Sequence, residues 1–376
     1  MKKFFALALA AVMMLSVLAG CGSSNETTAP ADEGKDAAEP AAEALNVGVF
    51  YYTFADAYIT TVRTAMDALL EEQKAAGTLT YQDYDGANNQ ATQLDQINTA
   101  ITNGANLLIV NIVETSSPDA AQQACDAAKN AGIPIIFFNR EVANDVVNSY
   151  ENCAFVGTDA AEAGHMQGEM IGDFLLENYE TVDLNGDGTI SYVLFKGQEG
   201  NAEAEYRTQF SVEDANAKLT AAGKPELSFY NAGNADKYLV DQTGSWSSQA
   251  ATDYMTTILA EYSEANGNMV ELVIANNDGM AEGAVAALQA AGYNTGDEGS
   301  KTIPVYGVDA MDSAVQKIEN NQMTGTVKQD GQGMANTIMT LVGNIASEAA
   351  LMENTSDFNV DADCAKIRVP YAKITG

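Results

Sequence analysis

Residues 272–292 read LVIANNDGMAEGAVAALQAAG. Four apolar residues, Leu272 to Ala275, turn polar at Asn276-Asn277-Asp278, and a helical period then runs from Met280 to a stop at Gly292. A short unbroken apolar run reads as a strand buried on both faces, and the amphipathic segment behind it as the helix that covers one face. The pattern recurs outward in both directions. Further apolar runs lie at 47–50, 107–113, 135–138, 192–195 and 305–308, and helical segments at 57–77, 116–132, 159–179 and 247–267. Strands and helices in this alternation predict an α/β fold with doubly wound parallel sheets. About ten such strands are too many for one sheet with a single crevice, so two similar lobes are expected.

Open parallel sheets collect ligands at the carboxyl ends of their strands. The residues there are polar: Asp56 after the first run, Asn111 within the second, Asn139 after Phe138, Asn276-Asn277-Asp278, and Asp309 after Val308. Any one of them could simply cap the following helix. Their number points to a shared polar cleft.

Composition narrows the function. The 376 residues are 46% hydrophobic and 19% charged, a globular balance. Eighteen Lys and Arg face 52 Asp and Glu, for a formal charge of −34, which would repel a nucleic-acid backbone. A single histidine, His165, excludes a His-rich metal site. Four scattered cysteines make neither a disulfide scaffold nor a paired zinc motif; Cys125, Cys153 and Cys364 are expected as small buried hydrophobes.

The start of the chain reads as an export signal. Lys2 and Lys3 precede an apolar run of 15 residues from Phe4 to Leu18, which ends in Leu18-Ala19-Gly20-Cys21. That end resembles a bacterial lipoprotein signal, which implies cleavage after residue 20 and lipid on Cys21. Residues 21–44 then carry little more than small and charged side chains, as a flexible tether does. No later stretch holds 18 uninterrupted apolar residues, so the remainder is expected to be soluble.

One acidic loop stands out: Asp183-Leu184-Asn185-Gly186-Asp187-Gly188-Thr189-Ile190-Ser191. Oxygens at positions 1, 3, 5, 7 and 9 with Gly at 6 suit a hard cation such as Ca²⁺. Position 12 is Leu194, so a bidentate carboxylate must come from elsewhere in the chain.

With this loop, the stretches Val193-Leu194-Phe195-Lys196-Gly197, Ala204-Glu205-Tyr206-Arg207-Thr208, Val273-Ile274-Ala275-Asn276-Asn277-Asp278, Ile303-Pro304-Val305-Tyr306-Gly307-Val308-Asp309-Ala310 and Arg368-Val369-Pro370-Tyr371 resemble the bacterial galactose/glucose-binding proteins. These are solute receptors of sugar ABC transporters with the type I periplasmic binding protein fold, and the likeness runs from about Val47 to Tyr371. It implies two lobes joined by three crossings, residues 45–140 plus 330–355 and residues 141–329 plus 356–376. It implies Ca²⁺ held by Asp183, Asn185, Asp187, Thr189, Ser191 and the distant Glu271. It also implies a monosaccharide sandwiched between Tyr58 and Trp246, the only Trp, with rim partners Asp56, Asn111, Arg207, Asn277 and Asp309. Three positions depart from the family's pattern: Asn201 stands for His, Glu203 for Asp and Gln329 for Asn. Glu203 extends its carboxylate about 1.5 Å further than Asp does, which puts the preferred sugar in question.

The resemblance further implies hinge closure of a monomer over unchanged sugar, with an ABC permease reading the closed form and no chemical step. Two alternatives use the same residues. A secreted glycosidase would employ carboxylates such as Glu203 and Asp309 as acid and base, and release of sugar from an aryl glycoside would reveal it. A chemotaxis or sensor subunit would keep the binding fold and change only the partner.

Overall fold

The computed structural model describes residues 44–376; the signal, Cys21 and the tether up to residue 43 lie outside the described residues. Strands β1 (Leu45–Tyr51), β2 (Leu79–Asp85), β3 (Leu107–Val110), β4 (Ile135–Asn139) and β5 (Cys153–Gly157) come first, with helices α1 (Ala57–Ala75), α2 (Gln90–Thr102), α3 (Asp119–Ala131) and α4 (Asn144–Asn148) between them. Helix α5 (Ala160–Val182) leads into β6 (Ser191–Lys196), α6 (Ala202–Ala221), β7 (Ser228–Phe229), β8 (Leu239–Val240), α7 (Ser248–Glu261), β9 (Leu272–Ala275), α8 (Asp278–Ala290), β10 (Val305–Asp309), α9 (Asp312–Glu319) and β11 (Gly325–Lys328). Helix α10 (Gly331–Ala346) and strands β12 (Asn359–Val360), β13 (Lys366–Arg368) and β14 (Ala372–Thr375) close the chain.

Two sheets result. The first has the order β12-β13-β5-β4-β3-β1-β2, and the second β14-β11-β10-β9-β6-β7 with β8 beside β6. Pairing is parallel except at β12–β13 and β11–β14. Every residue of β3, β4, β5 and β9 is buried, as the unbroken apolar runs require. One face of the first sheet packs with α1 and α10 residues such as Val62, Met66 and Ile338, and the other with α2 and α3 residues such as Ile97 and Ala124. The second sheet is sandwiched in the same manner, with Ile171 and Leu219 on one side and Met255 and Val285 on the other. Helices α5 and α6 cross where α5 offers glycine: a Cβ at Gly168 would stand 2.6 Å from the carbonyl oxygen of Phe210. Cys125, Cys153 and Cys364 are free and buried.

The lobe boundaries differ from those expected. The second lobe does not begin at 141 or resume at 356, because β5 pairs with β4 from Ile135↔Cys153 to Asn139↔Gly157, and β13 pairs with β5. The chain therefore crosses at 158–159, between β5 and α5, at 329–330, between β11 and α10, and at 369–371, between β13 and β14. The first sheet gains three strands, β5, β13 and the edge strand β12, whose short runs CAFVG, KIR and NV carry too weak a signal to read as strands alone.

Candidate functional site

Each sheet reverses its strand order once, between β1 and β3 in the first lobe and between β6 and β9 in the second. Such a switch point splays the connections at the carboxyl ends apart and leaves a crevice there. The two crevices share one cavity, lined by residues of both lobes.

From the first lobe come Tyr52, Asp56, Tyr58, Ile59, Asn139 and Arg140; from the second come Asn201, Glu203, Arg207, Trp246, Asn277 and Asp309, with Gln329 at a crossing. Tyr58 and Trp246 thus reach the same space from opposite lobes. Several of these residues also cap helices. Asp56 Oδ1 accepts from Ile59 N at 2.7 Å, Asn201 Oδ1 from Ala204 N at 3.0 Å, and Asn277 Oδ1 from Met280 N at 2.9 Å. Capping and site-lining are therefore one arrangement, since a helix starts where each strand ends at the cleft.

Asn111 differs from expectation. It is fully buried behind the wall, where its Oδ1 accepts from Tyr52 N at 3.3 Å and its Nδ2 donates to Phe138 O and Asn139 Oδ1, both at 3.1 Å. It braces Tyr52 and Asn139, which do line the cavity. Tyr52, Ile59 and Arg140 are not among the expected site residues, whereas Asn139 is, as a polar strand end. Asn139 follows the same strand-end rule as the others, and Arg140 is its neighbour.

The polar atoms are incompletely satisfied. Tyr58 Oη, Arg140 Nη1, Glu203 Oε2, Arg207 Nε and Gln329 Nε2 are buried without a hydrogen-bond partner, and all five belong to cavity-lining residues. Burying a polar group unpaired costs about 1–3 kcal/mol, so a cluster of them marks where a hydroxylated molecule would supply partners. Backbone strain gathers at the same place. Asn139, Trp246 and Asp309 hold positive φ of 63°, 57° and 124°, at about 1–3 kcal/mol each.

Burial raises the Asp309 carboxyl well above its ordinary range; Arg207 opposes this, while Asp278 and Asp56 add to it. Burial and then Glu141 raise Glu203, and Arg207 again opposes. Arg207 is held on several sides: Nη1 donates to Asn276 O at 2.9 Å, and Nη2 to Gln329 Oε1 at 3.1 Å and to Tyr371 Oη at 3.0 Å. Its guanidinium stands 5.7 Å from the Trp246 ring centroid. The Arg140 guanidinium lies 4.3 Å from the Tyr52 ring centroid, and Tyr52 donates to Asp56 at 2.7 Å.

The lobes are closed on the cavity. Asn88 Nδ2 donates to Thr243 O at 3.0 Å, Asn201 Nδ2 to Thr115 Oγ1 at 3.2 Å, Glu141 N to Glu203 Oε1 at 3.0 Å, and Arg140 to Gln198.

The chain matches the periplasmic binding protein domain over residues 47–349. It belongs to the periplasmic binding proteins. They are solute receptors, and the family is not an enzymatic one. The chain is 32% identical over 328 residues to the D-galactose/methyl-galactoside binding periplasmic protein MglB of Haemophilus influenzae, covering 87% of this chain and 88% of that protein. In fold it is similar to an ABC transporter solute binding protein from Bacillus halodurans with bound myo-inositol, at TM-score 0.65 and 22% identity over 89% of this chain and 95% of that one. It is equally similar to one from Clostridium phytofermentans with bound β-D-glucose, at TM-score 0.65 and 21% identity over 88% and 94%. Among the described residues of this periplasmic binding protein, no helix is long and apolar enough to cross a membrane.

The acidic loop lies on the second lobe, between α5 and β6. Asp183 Oδ1 and Oδ2 accept from Gly186 N and Gly188 N, both at 2.8 Å, and Asp187 Oδ1 accepts from Thr189 N at 2.8 Å. Glu271, fully buried and 80 residues beyond Ser191, turns both oxygens onto this loop: Oε1 accepts from Leu184 N at 2.7 Å and Oε2 from Ser191 N at 2.8 Å. Burial raises its carboxyl, and these bonds oppose the rise. None of the ion pairs among the described residues reaches Asp183, Asp187 or Glu271. The donor types fit a hard cation. No group of three or more His, Cys, Asp or Glu side chains among the described residues is gathered closely enough to hold a metal; here these carboxylates accept from backbone N–H groups.

Proposed function

We propose that this receptor binds a monosaccharide, glucose or galactose first, and delivers it by hinge closure to an ABC permease. One observation carries the reading: a cavity between the lobes that takes an aromatic ring from each and is ringed by unpartnered donors and acceptors. A pyranose has C–H faces that pack on aromatic rings and a rim of hydroxyls that both donate and accept. Those hydroxyls would donate to Asp56, Glu203 and Asp309 and accept from Arg207, at about 1.5–3 kcal/mol each. Two ring faces and a few such bonds suffice for micromolar affinity, about −8 kcal/mol. The likeness to MglB supports galactose.

The receptor works outside the cytoplasm as a monomer, tethered through lipid on Cys21, and a sensor or chemoreceptor partner would read the same closed surface. A structural Ca²⁺ is part of the proposal, held by Asp183, Asn185, Asp187, the Thr189 carbonyl, Ser191 and Glu271; its charge would offset three carboxylates that lack cationic partners.

The test is calorimetric titration with D-galactose, D-glucose and other monosaccharides, with Trp246 fluorescence followed in parallel. Saturable binding with a change in emission is expected. Silence toward every monosaccharide would rule the reading out.

A further inference from the structure

Two of the three lobe crossings meet at a single pair of hydroxyls. Tyr371 Oη, in the third crossing, lies 2.8 Å from Thr158 Oγ1, in the first. Both residues are buried, at 6% and 1% exposure. The crossings are also tied through their backbones, with Val369 N donating to Gly157 O at 2.6 Å. The Tyr371 hydroxyl accepts from Arg207 Nη2 at 3.0 Å, and the remaining crossing joins through Gln329, whose Oε1 accepts from the same nitrogen at 3.1 Å. One guanidinium nitrogen of the cavity wall therefore touches the second and third crossings directly and the first through Tyr371.

We infer that Tyr371, which does not line the cavity, is a positioning residue that makes the aim of Arg207 depend on the hinge angle. The two hydrogens of Nη2 are taken by Gln329 and Tyr371, which fixes the plane of the fork and leaves Nε buried and unpartnered at the cavity wall. A phenol that accepts from a cation is best placed to pass its own proton on, and Thr158 Oγ1 is the acceptor within reach. Opening the lobes must turn backbone torsions in the crossing segments. Thr158 and Tyr371 sit in those segments, whereas Arg207 rides on α6 of the second lobe. Rotation breaks the Arg207–Tyr371–Thr158 chain, and Arg207 presents its free edge correctly only in the closed form. The inference rests on the cavity being the ligand site, not on which sugar fills it.

The experiment compares full-length wild type, Tyr371→Phe, Thr158→Val and the double variant, each checked for an unchanged melting transition. Affinities for D-galactose and D-glucose are measured by calorimetry, and the radius of gyration without sugar by small-angle scattering. Each single variant should weaken binding about tenfold: Tyr371→Phe removes the acceptor of Arg207, and Thr158→Val removes the hydroxyl that holds Tyr371 in place. The double variant should be no weaker than either single one, since both cut the same chain. The order of sugar preference should not change, and the sugar-free variants should be more open than wild type. Thr158→Val at wild-type affinity, or additive losses in the double variant, would overturn the inference. If wild type binds neither sugar, the monosaccharide reading fails by itself, and the sugar-free scattering still decides: variants as compact as wild type overturn the hinge role.

Discussion

The indole of Trp246 lies against the backbone of Gly197: a Cβ at position 197 would stand 2.2 Å from the indole carbons Cδ2 and Cε3. Gly197 is the first residue after β6, and its N–H donates to Asn276 Oδ1 at 3.1 Å, so the shelf beneath the ring is pinned to the neighbouring strand end. The absence of a side chain at 197, together with the positive φ of Trp246, lets the ring lie at the cavity wall.

Gly197→Ala should therefore displace the ring without unfolding the lobe. Sugar affinity is expected to fall about tenfold or more, as the loss of an aromatic face implies, and the Trp246 emission should shift even without ligand. Unaltered emission and affinity would mean that the shelf does not set the ring.

Glu203 reaches across the cleft, with Oε1 accepting from Glu141 N at 3.0 Å and Oε2 unpartnered. Glu203→Asp withdraws the carboxylate by about one bond, 1.5 Å, and loses that bridge. Weaker binding and a changed order of sugar preference are expected across a calorimetric panel. An unchanged order would show that the longer side chain serves closure and not selectivity.

Calcium should raise the thermal midpoint and a chelator should lower it, by several degrees if the ion is well above its dissociation constant (about 2.7 kcal/mol at a hundredfold excess). Glu271→Gln should erase the difference between the two conditions. Superimposable melts of the wild type with calcium and with chelator would remove the ion from the proposal.

Asp67 on α1 and Asp83 on β2 each bury an Oδ1 that has no donor. Burial first, then the charge and hydrogen bond of Asp67, push Asp83 up to about 7, against Arg63. A carboxyl raised in the folded state stabilises most fully below its unfolded value near 3.8, and that contribution is lost as pH rises through about 7. Urea unfolding at pH 5 and pH 8 should show a drop that Asp83→Asn flattens. An equal drop in the variant would place its origin elsewhere.

Much of the fold could be read from the chain, because β3 and β9 are buried on both faces and apolar at every position, and β4 is apolar up to its last residue, Asn139. Two helix starts at the cleft were legible too, since Asp56 and Asn277 are residue types that cap helices; the cap by Asn201 was not read from the sequence. The short strands β5 and β13 were not, as runs of five and three residues are too brief to announce which sheet they join, and the lobe boundaries moved with them. Asn111 illustrates the limit within the site. As a residue type it suits a sugar rim, and only its three buried hydrogen bonds show that it holds up the wall.

The chain itself determined two lobes of alternating strand and helix, a row of polar strand ends and an oxygen-rich loop, because burial on two faces and helix capping are local demands on residue type. Tertiary structure decided which strand ends share a cavity, which polar atoms there lack partners, and that Tyr371 and Thr158 tie the crossings to Arg207. Those contacts join residues more than a hundred positions apart, and no local pattern encodes a distance between atoms that meet only after both sheets have formed.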